Sequence, residues 1–172
     1  MNTQYTLIHK ILQNGLTATL GILEKGKAFA AEKGIAESEL LSAALAPDML
    51  PFTKQIQIVS DNAKSAVARF ADVEAPKMED NETTFDQLIE RIKKTEEYVN
   101  TFSADSFANA GSVKVTFPWM PGKYFEMQNY IEAFTTQNFH FHISIAYAIL
   151  RNKGVNLGKT DYITGLTPKD LE

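Results

Sequence analysis

The chain has 172 residues, no cysteine and three histidines, and its 17 basic and 21 acidic residues leave a net charge of −4. Without cysteine there are no disulfides, no thiolate metal sites and no cysteine nucleophile, and the acidic balance argues against duplex nucleic acid or an anionic membrane as partner. The length predicts a single domain over 1–172, large enough to bury a full core without staples.

In chain order, Ile8, Leu12, Leu16, Thr19, Leu23 and Ala30 recur at helical steps and predict a first helix over about 4–32. Gly15 and Gly26 fall on the same stripe. Each costs about 1 kcal/mol relative to alanine in a helix, which points to a neighbouring helix in close approach. Gly34 is the predicted C-cap, and Ser38 caps a short helix over 38–45. A second long helix opens at Asp48 as N-cap, with Pro51 in the first turn. Its buried face is Phe52, Ile56, Val59, Ala63, Val67 and Phe70, and Asp61 projects nearly opposite, toward solvent or another subunit.

Residues 71–83 (ADVEAPKMEDNET) form an acidic loop long enough to cross the end of a bundle. Thr84 and Gln87 then have capping-box spacing, and Phe85, Leu88, Ile89, Ile92, Val99 and Phe102 predict a third helix over about 84–102. On it, Arg91, Lys93 and Lys94 alternate with Glu90, Glu96 and Glu97, which reads as a solvated face. Ser112–Phe117 alternates with period two, Pro118, Pro121 and Gly122 punctuate, and Lys123–Met127 resumes, predicting a small β-hairpin. Trp119 at its tip either covers a pocket mouth or packs as an anchor. The fourth helix runs over about 127–152 on a stripe of Met127, Ile131, Phe134, Phe141, Ile145 and Ile149, with Gly154 as C-cap. The rest is a turn-rich tail. The N-terminal stretch has neither a basic n-region nor a small-residue cleavage site, and no run approaches the ~18 apolar residues of a membrane span. A cytoplasmic protein is therefore expected.

The fourth helix holds the most informative residues. Projected at 100° per residue, Asn138 and His142 both fall within its apolar face, one turn apart, while His140 projects to the other side and His9 lies toward the margin of its own stripe. An inward Asn–His pair is either a satisfied buried hydrogen-bonded pair or half of a metal or substrate site in the bundle interior. Asp48, Gln55, Asp61, Asp80 and Glu82 are the oxygen donors on offer, and no spacing selects among them. There is no G-x-S-x-G, P-loop or G-x-G-x-x-G. No catalytic residue is assigned, and enzyme and binding protein stay open.

The stretch Asn138-Phe-His-Phe-His142, the run from Ala146 through Arg151 to Gly154-Val155, and Leu157-Gly-Lys-Thr-Asp161-Tyr162 resemble a bacterial family, the domain of unknown function nineteen-ninety-three, in the DinB/YfiT-like metalloenzyme superfamily. Leu45-Ala-Pro-Asp-Met49-Leu-Pro51 and Gln55-Ile-Gln57 resemble its second-helix signature, so the likeness spans the whole chain. It implies an all-α, DinB-like four-helix bundle in up-down-down-up order, with the hairpin between the third and fourth long helices. Superfamily members often hold a divalent metal with three histidines, one from the second helix and two from H-x-x-x-H on the fourth, and some transfer low-molecular-weight thiols. Aligned on Leu150-Arg151 and Gly154-Val155, His142 takes the last histidine position, Asn138 the first, and Asp61 that of the second helix. One histidine of three is retained, and an Asp61/Asn138/His142 set suits zinc or nickel poorly.

Three functions follow. The first is a small-molecule-binding bundle with a degenerate metal site and no resident cofactor, its pocket lined by Gln55, Asn138, His142 and Trp119. The second is a divalent-metal-dependent enzyme of thiol-transferase type, with His142 as surviving ligand and carboxylates in place of histidines. The third is a non-enzymatic interaction protein that forms a homodimer through its helix faces.

Overall fold

The computed structural model describes residues 3–169; residues 1, 2 and 170–172, at the edges of the expected domain, lie outside it. Four long helical segments carry the chain: α1 (Thr3–Lys33), α3 (Phe52–Phe70), α4 (Phe85–Asn100), and a last one in which α5 (Met127–Asn129), a π-helical segment (Tyr130–Thr135) and α6 (Thr136–Asn152) run on without a break. Short helix α2 (Glu37–Leu41) sits between α1 and α3, and α7 (Lys159–Tyr162) in the tail after α6. The predicted hairpin is two residues a side, β1 (Lys114–Val115) antiparallel to β2 (Phe125–Glu126), preceded by two single 3-10 turns. One contiguous core draws on all four long segments.

Side-chain contacts fix the helix directions. His9 reaches the Val99 carbonyl and Lys27 reaches Asp86, so α1 and α4 run antiparallel. Gln55 meets His142 and Arg69 meets Tyr130, so α3 is antiparallel to the last segment. Phe52 packs on Phe85 and Ser60 bonds Thr95, which makes α3 and α4 parallel. Gly15 lies against Phe139 and Gly26 against Leu150, which makes α1 and α6 parallel. The bundle is up-down-down-up. The two glycines are the predicted close approach: a Cβ on Gly15 would come within 2.3 Å of Phe139, and one on Gly26 within 2.8 Å of Leu150.

Parallel neighbours need a long crossover. The end of α3 and the start of α4 are a helix length apart, about 28 Å for 19 residues at 1.5 Å each. The acidic loop therefore runs back along α3 rather than merely crossing the bundle end. Lys64 donates to the Pro76 carbonyl, Gln57 to Glu82 and Lys54 to Asp80.

The capping box at Thr84 and Gln87 is formed, and Gly34 and Gly154 end their helices at φ 65° and 97°. Two expected caps are replaced. Pro51 occupies the N-cap of α3, because Asp48 is held in an exposed turn in which the Met49 amide donates to the Ala46 carbonyl. Ala36 rather than Ser38 precedes α2.

The fourth stripe is also displaced, for a physical reason. A π turn inserts one extra residue, so everything after it is rotated by about 100° relative to an unbroken α-helix. The projected positions 138, 142, 145 and 149 move up by one, and the buried residues of α6 are Phe139, His142, Ile143, Ala146, Ile149 and Leu150. Phe141, expected in the core, is 55% exposed, while Phe139 is fully buried. Asn138 moves to the margin of the face and is half-buried. Among the described residues no helix is long and apolar enough to cross a membrane.

Candidate functional site

Gln55 lies in the first turn of α3 and His142 midway along α6, and antiparallel packing brings them face to face, both buried. The Gln55 amide is oriented by the backbone. Its Nε2 donates to the Leu50 carbonyl at 2.9 Å, and a carbonyl can only accept. Oε1 is therefore the atom turned to His142, and it accepts from Nδ1–H at 2.7 Å. That assigns the ring's proton to Nδ1. Burial holds the His142 pKa below its usual value, so the ring is neutral at physiological pH. Its Nε2 is then a lone-pair acceptor with no hydrogen-bond partner among the described residues. One turn earlier, the Asn138 amide is likewise without a partner among them. Together the two groups can bind a hydrogen-bond donor, and His142 can take up a proton from one.

The remaining sequence-derived candidates lie elsewhere. Asp61 is on the α4 side of α3, six residues and some 240° around the helix from Gln55. Its carboxylate accepts from Arg91 at 2.8 Å and pairs with Lys64 at 3.1 Å. Its side chain is 46% exposed at the α3–α4 edge, and among the described residues no contact joins it to His142. Trp119 is 64% exposed at the hairpin tip and stacks on Phe117. Phe117 in turn lies against Arg69 and Tyr130. Arg69 is fourteen residues along α3 from Gln55, about 21 Å, so Trp119 stands at the opposite end of the seam. Asp48 is exposed, and Asp80 and Glu82 pair with Arg91.

The superfamily metal does not fit this donor set. The Asp61 carboxylate is held by two cations on another face, Asn138 offers only a weak amide, and His142 is the lone histidine of the seam. Among the described residues no three His, Cys, Asp or Glu side chains are grouped so as to hold a metal ion.

Two groups were missed or misplaced by the sequence reading. Arg91, counted with Lys93 and Lys94 as a solvated face, is 3% exposed. Its guanidinium meets Asp61, Asp80 and Glu82 at 2.8–3.0 Å and the Glu79 carbonyl at 3.2 Å. Burial pushes the Glu82 carboxyl up, but hydrogen bonds from Arg91 and Gln57 and the Arg91 charge outweigh it, and the group sits below its usual range. The available signal was spacing: Leu88, Arg91, Thr95 and Val99 follow three- and four-residue steps and are all buried. His140, expected on the outward side, is half-buried beneath the tail, its Nδ1 3.1 Å from the Tyr162 hydroxyl. Burial lowers its pKa as well.

Comparison with known proteins gives the lineage. Residues 4–163 match the family described as domain of unknown function DUF1993. Among solved structures, a DinB family member protein from Shewanella denitrificans is similar at 33% identity and a TM-score of 0.92, the match covering 99% of this chain and 100% of that one. No curated protein matches. With nearly its whole length matched by the family and by a DinB-family fold, the chain belongs to the DUF1993 family.

Proposed function

We propose that this protein binds a small hydrogen-bond-donating molecule between α3 and α6, at Gln55, Asn138 and His142, without a resident metal. The observation that carries this reading is the hydrogen-bonded chain from His142 through Gln55 to the Leu50 carbonyl. Gln55 holds the proton on Nδ1, burial keeps the ring neutral, and an acceptor lone pair is left open beside a free amide. A preset acceptor of this kind costs little reorganisation on binding.

Elemental analysis of protein purified without added metal, followed by a thermal-shift series with zinc, nickel, manganese and low-molecular-weight thiols, tests the absence of a metal. Less than one-tenth of a metal equivalent and no metal-dependent rise in melting temperature are expected. Stoichiometric metal would overturn the proposal in favour of the metal-dependent thiol-transferase reading. A fragment screen followed by NMR should place binders at Gln55, Asn138 and His142, and His142→Ala should abolish those shifts.

A further inference from the structure

The tail after Gly154 is more than a turn-rich end. It folds back across α1 and α6 and is pinned on both. Asp161 pairs with Lys25 at 2.7 Å, and Thr164 donates to the Asn14 carbonyl at 2.7 Å. Gly165 packs so closely on the Asn14 amide that a Cβ there would come within 2.5 Å of Oδ1. On the α6 side the Tyr162 hydroxyl is met by three groups: Ser144 Oγ at 3.0 Å, His140 Nδ1 at 3.1 Å and the His140 carbonyl at 3.3 Å. One assignment satisfies all three. Tyr162 donates its single proton to the carbonyl, and its oxygen accepts from Ser144 and from Nδ1–H. His140 then has its second nitrogen, Nε2, as an open acceptor.

Beneath this strap is a hollow of about 200 Å³. Ile11, Ala18 and Ile143 form apolar walls, His140 and Asn14 supply the polar groups, and among the described residues no Asp, Glu, Lys or Arg lines it. Among the described residues neither the Asn14 amide nor His140 Nε2 has a hydrogen-bond partner. At roughly 30 Å³ per water it has room for about six waters, the size of a one-ring molecule. Because the roof is pinned at Asp161, Tyr162 and Thr164, the hollow is preformed rather than opened by the ligand.

We propose that this hollow is a second small-molecule site, separate from the Gln55–His142 seam, for an uncharged compact molecule with an apolar body and one hydroxyl or N–H donor. The absence of lining charges rules for a neutral ligand, the apolar walls for a ring or branched chain, and the open acceptors for the donor.

The test is a titration of the 15N-labelled full chain with phenol, and with toluene as the same shape lacking a donor. Saturable amide shifts at Gly15, Ile143 and Thr164 are expected with phenol, and binding of toluene at least about tenfold weaker, as for a buried acceptor left unpaired. Ala18→Leu fills the hollow while leaving His140 and Asn14 intact, and should remove the phenol shifts. The comparison of phenol with toluene needs only the unmodified protein, so it stands should that variant not fold. Absence of shifts at millimolar phenol, equal binding of toluene, persistence of the shifts in folded Ala18→Leu, or shifts confined to Gln55, Asn138 and His142 would each overturn the proposal.

Discussion

The proton on His142 is placed by a backbone carbonyl two contacts away: Leu50 orients Gln55, and Gln55 orients the ring. Gln55→Glu replaces a neutral acceptor with a carboxylate that favours the imidazolium. The His142 pKa should rise above that of the unmodified protein in an NMR titration, and no change would show that the pair does not set the ring's state. Arg91 offers a second test. Arg91→Met leaves Glu82, whose side chain is 8% exposed, without its cation, and breaking a buried pair from one side costs roughly 3–5 kcal/mol. Urea unfolding should show that loss, and Glu82→Gln added to Arg91→Met should recover part of it. Residues differed in legibility. His142 could be read from periodicity because its neighbours are apolar. Arg91 could be placed on the buried stripe by its spacing, but its partners could not be named, since they come from a loop whose path only the fold determines, and a cation two residues before a lysine pair resembles a solvent face.

Among the elements, α3, α4 and the first helix lie close to where apolar spacing puts them, because an unbroken α-helix keeps its phase. The last helix does not. Its π segment leaves no mark in a pattern of apolar residues, so Phe139, which the expected stripe leaves out, takes the core place expected of Phe141. The pair gives a direct test. Phe139→Ala should cost about 3–5 kcal/mol, as for a buried ring, and Phe141→Ala less than about 0.5 kcal/mol, as at the surface, both by chemical denaturation. Equal costs would contradict the rotated face. The same shift explains why Asn138 sits at the rim of the seam while His142 remains inside. The tail was illegible for another reason. Its anchors are single polar contacts at Lys25, Asn14 and His140, which have no period.

For the whole molecule, the two histidines of α6 set how stability varies with pH. Both have folded pKa values below the ordinary 6.5. As pH falls through 6.5 the unfolded chain takes up protons that the native protein does not, so stability drops until the lower folded values are reached, and it is level above 6.5. The slope is at most about 1.4 kcal/mol per pH unit for each histidine. Asp80 and Glu82 act in a separate window. Burial raises them, but their cationic partners outweigh it and hold them below 3.8 and 4.5, so their contribution is present above those values and lost in more acidic solution. Urea midpoints measured from pH 8 to 3 should fall in two stages, and a flat profile between pH 6.5 and 5 would contradict the neutral state of His140 and His142.

The π segment has a genetic reading as well. Removing one residue from Tyr130–Thr135, a single codon in 172, would take out the extra residue that the π turn accommodates, letting the segment close to α-helix while α6 keeps its phase. Phe139 would stay inward, Phe141 outward and His142 against Gln55, with the amino-acid sequence of α6 unaltered. A deletion of Glu132, itself exposed and outside the core, should therefore leave the cooperative melt in circular dichroism intact, as should Glu132→Ala, and loss of the melt on deletion would contradict a π turn that holds one extra residue. The extra residue is taken up within those six, and the register of everything that follows is kept.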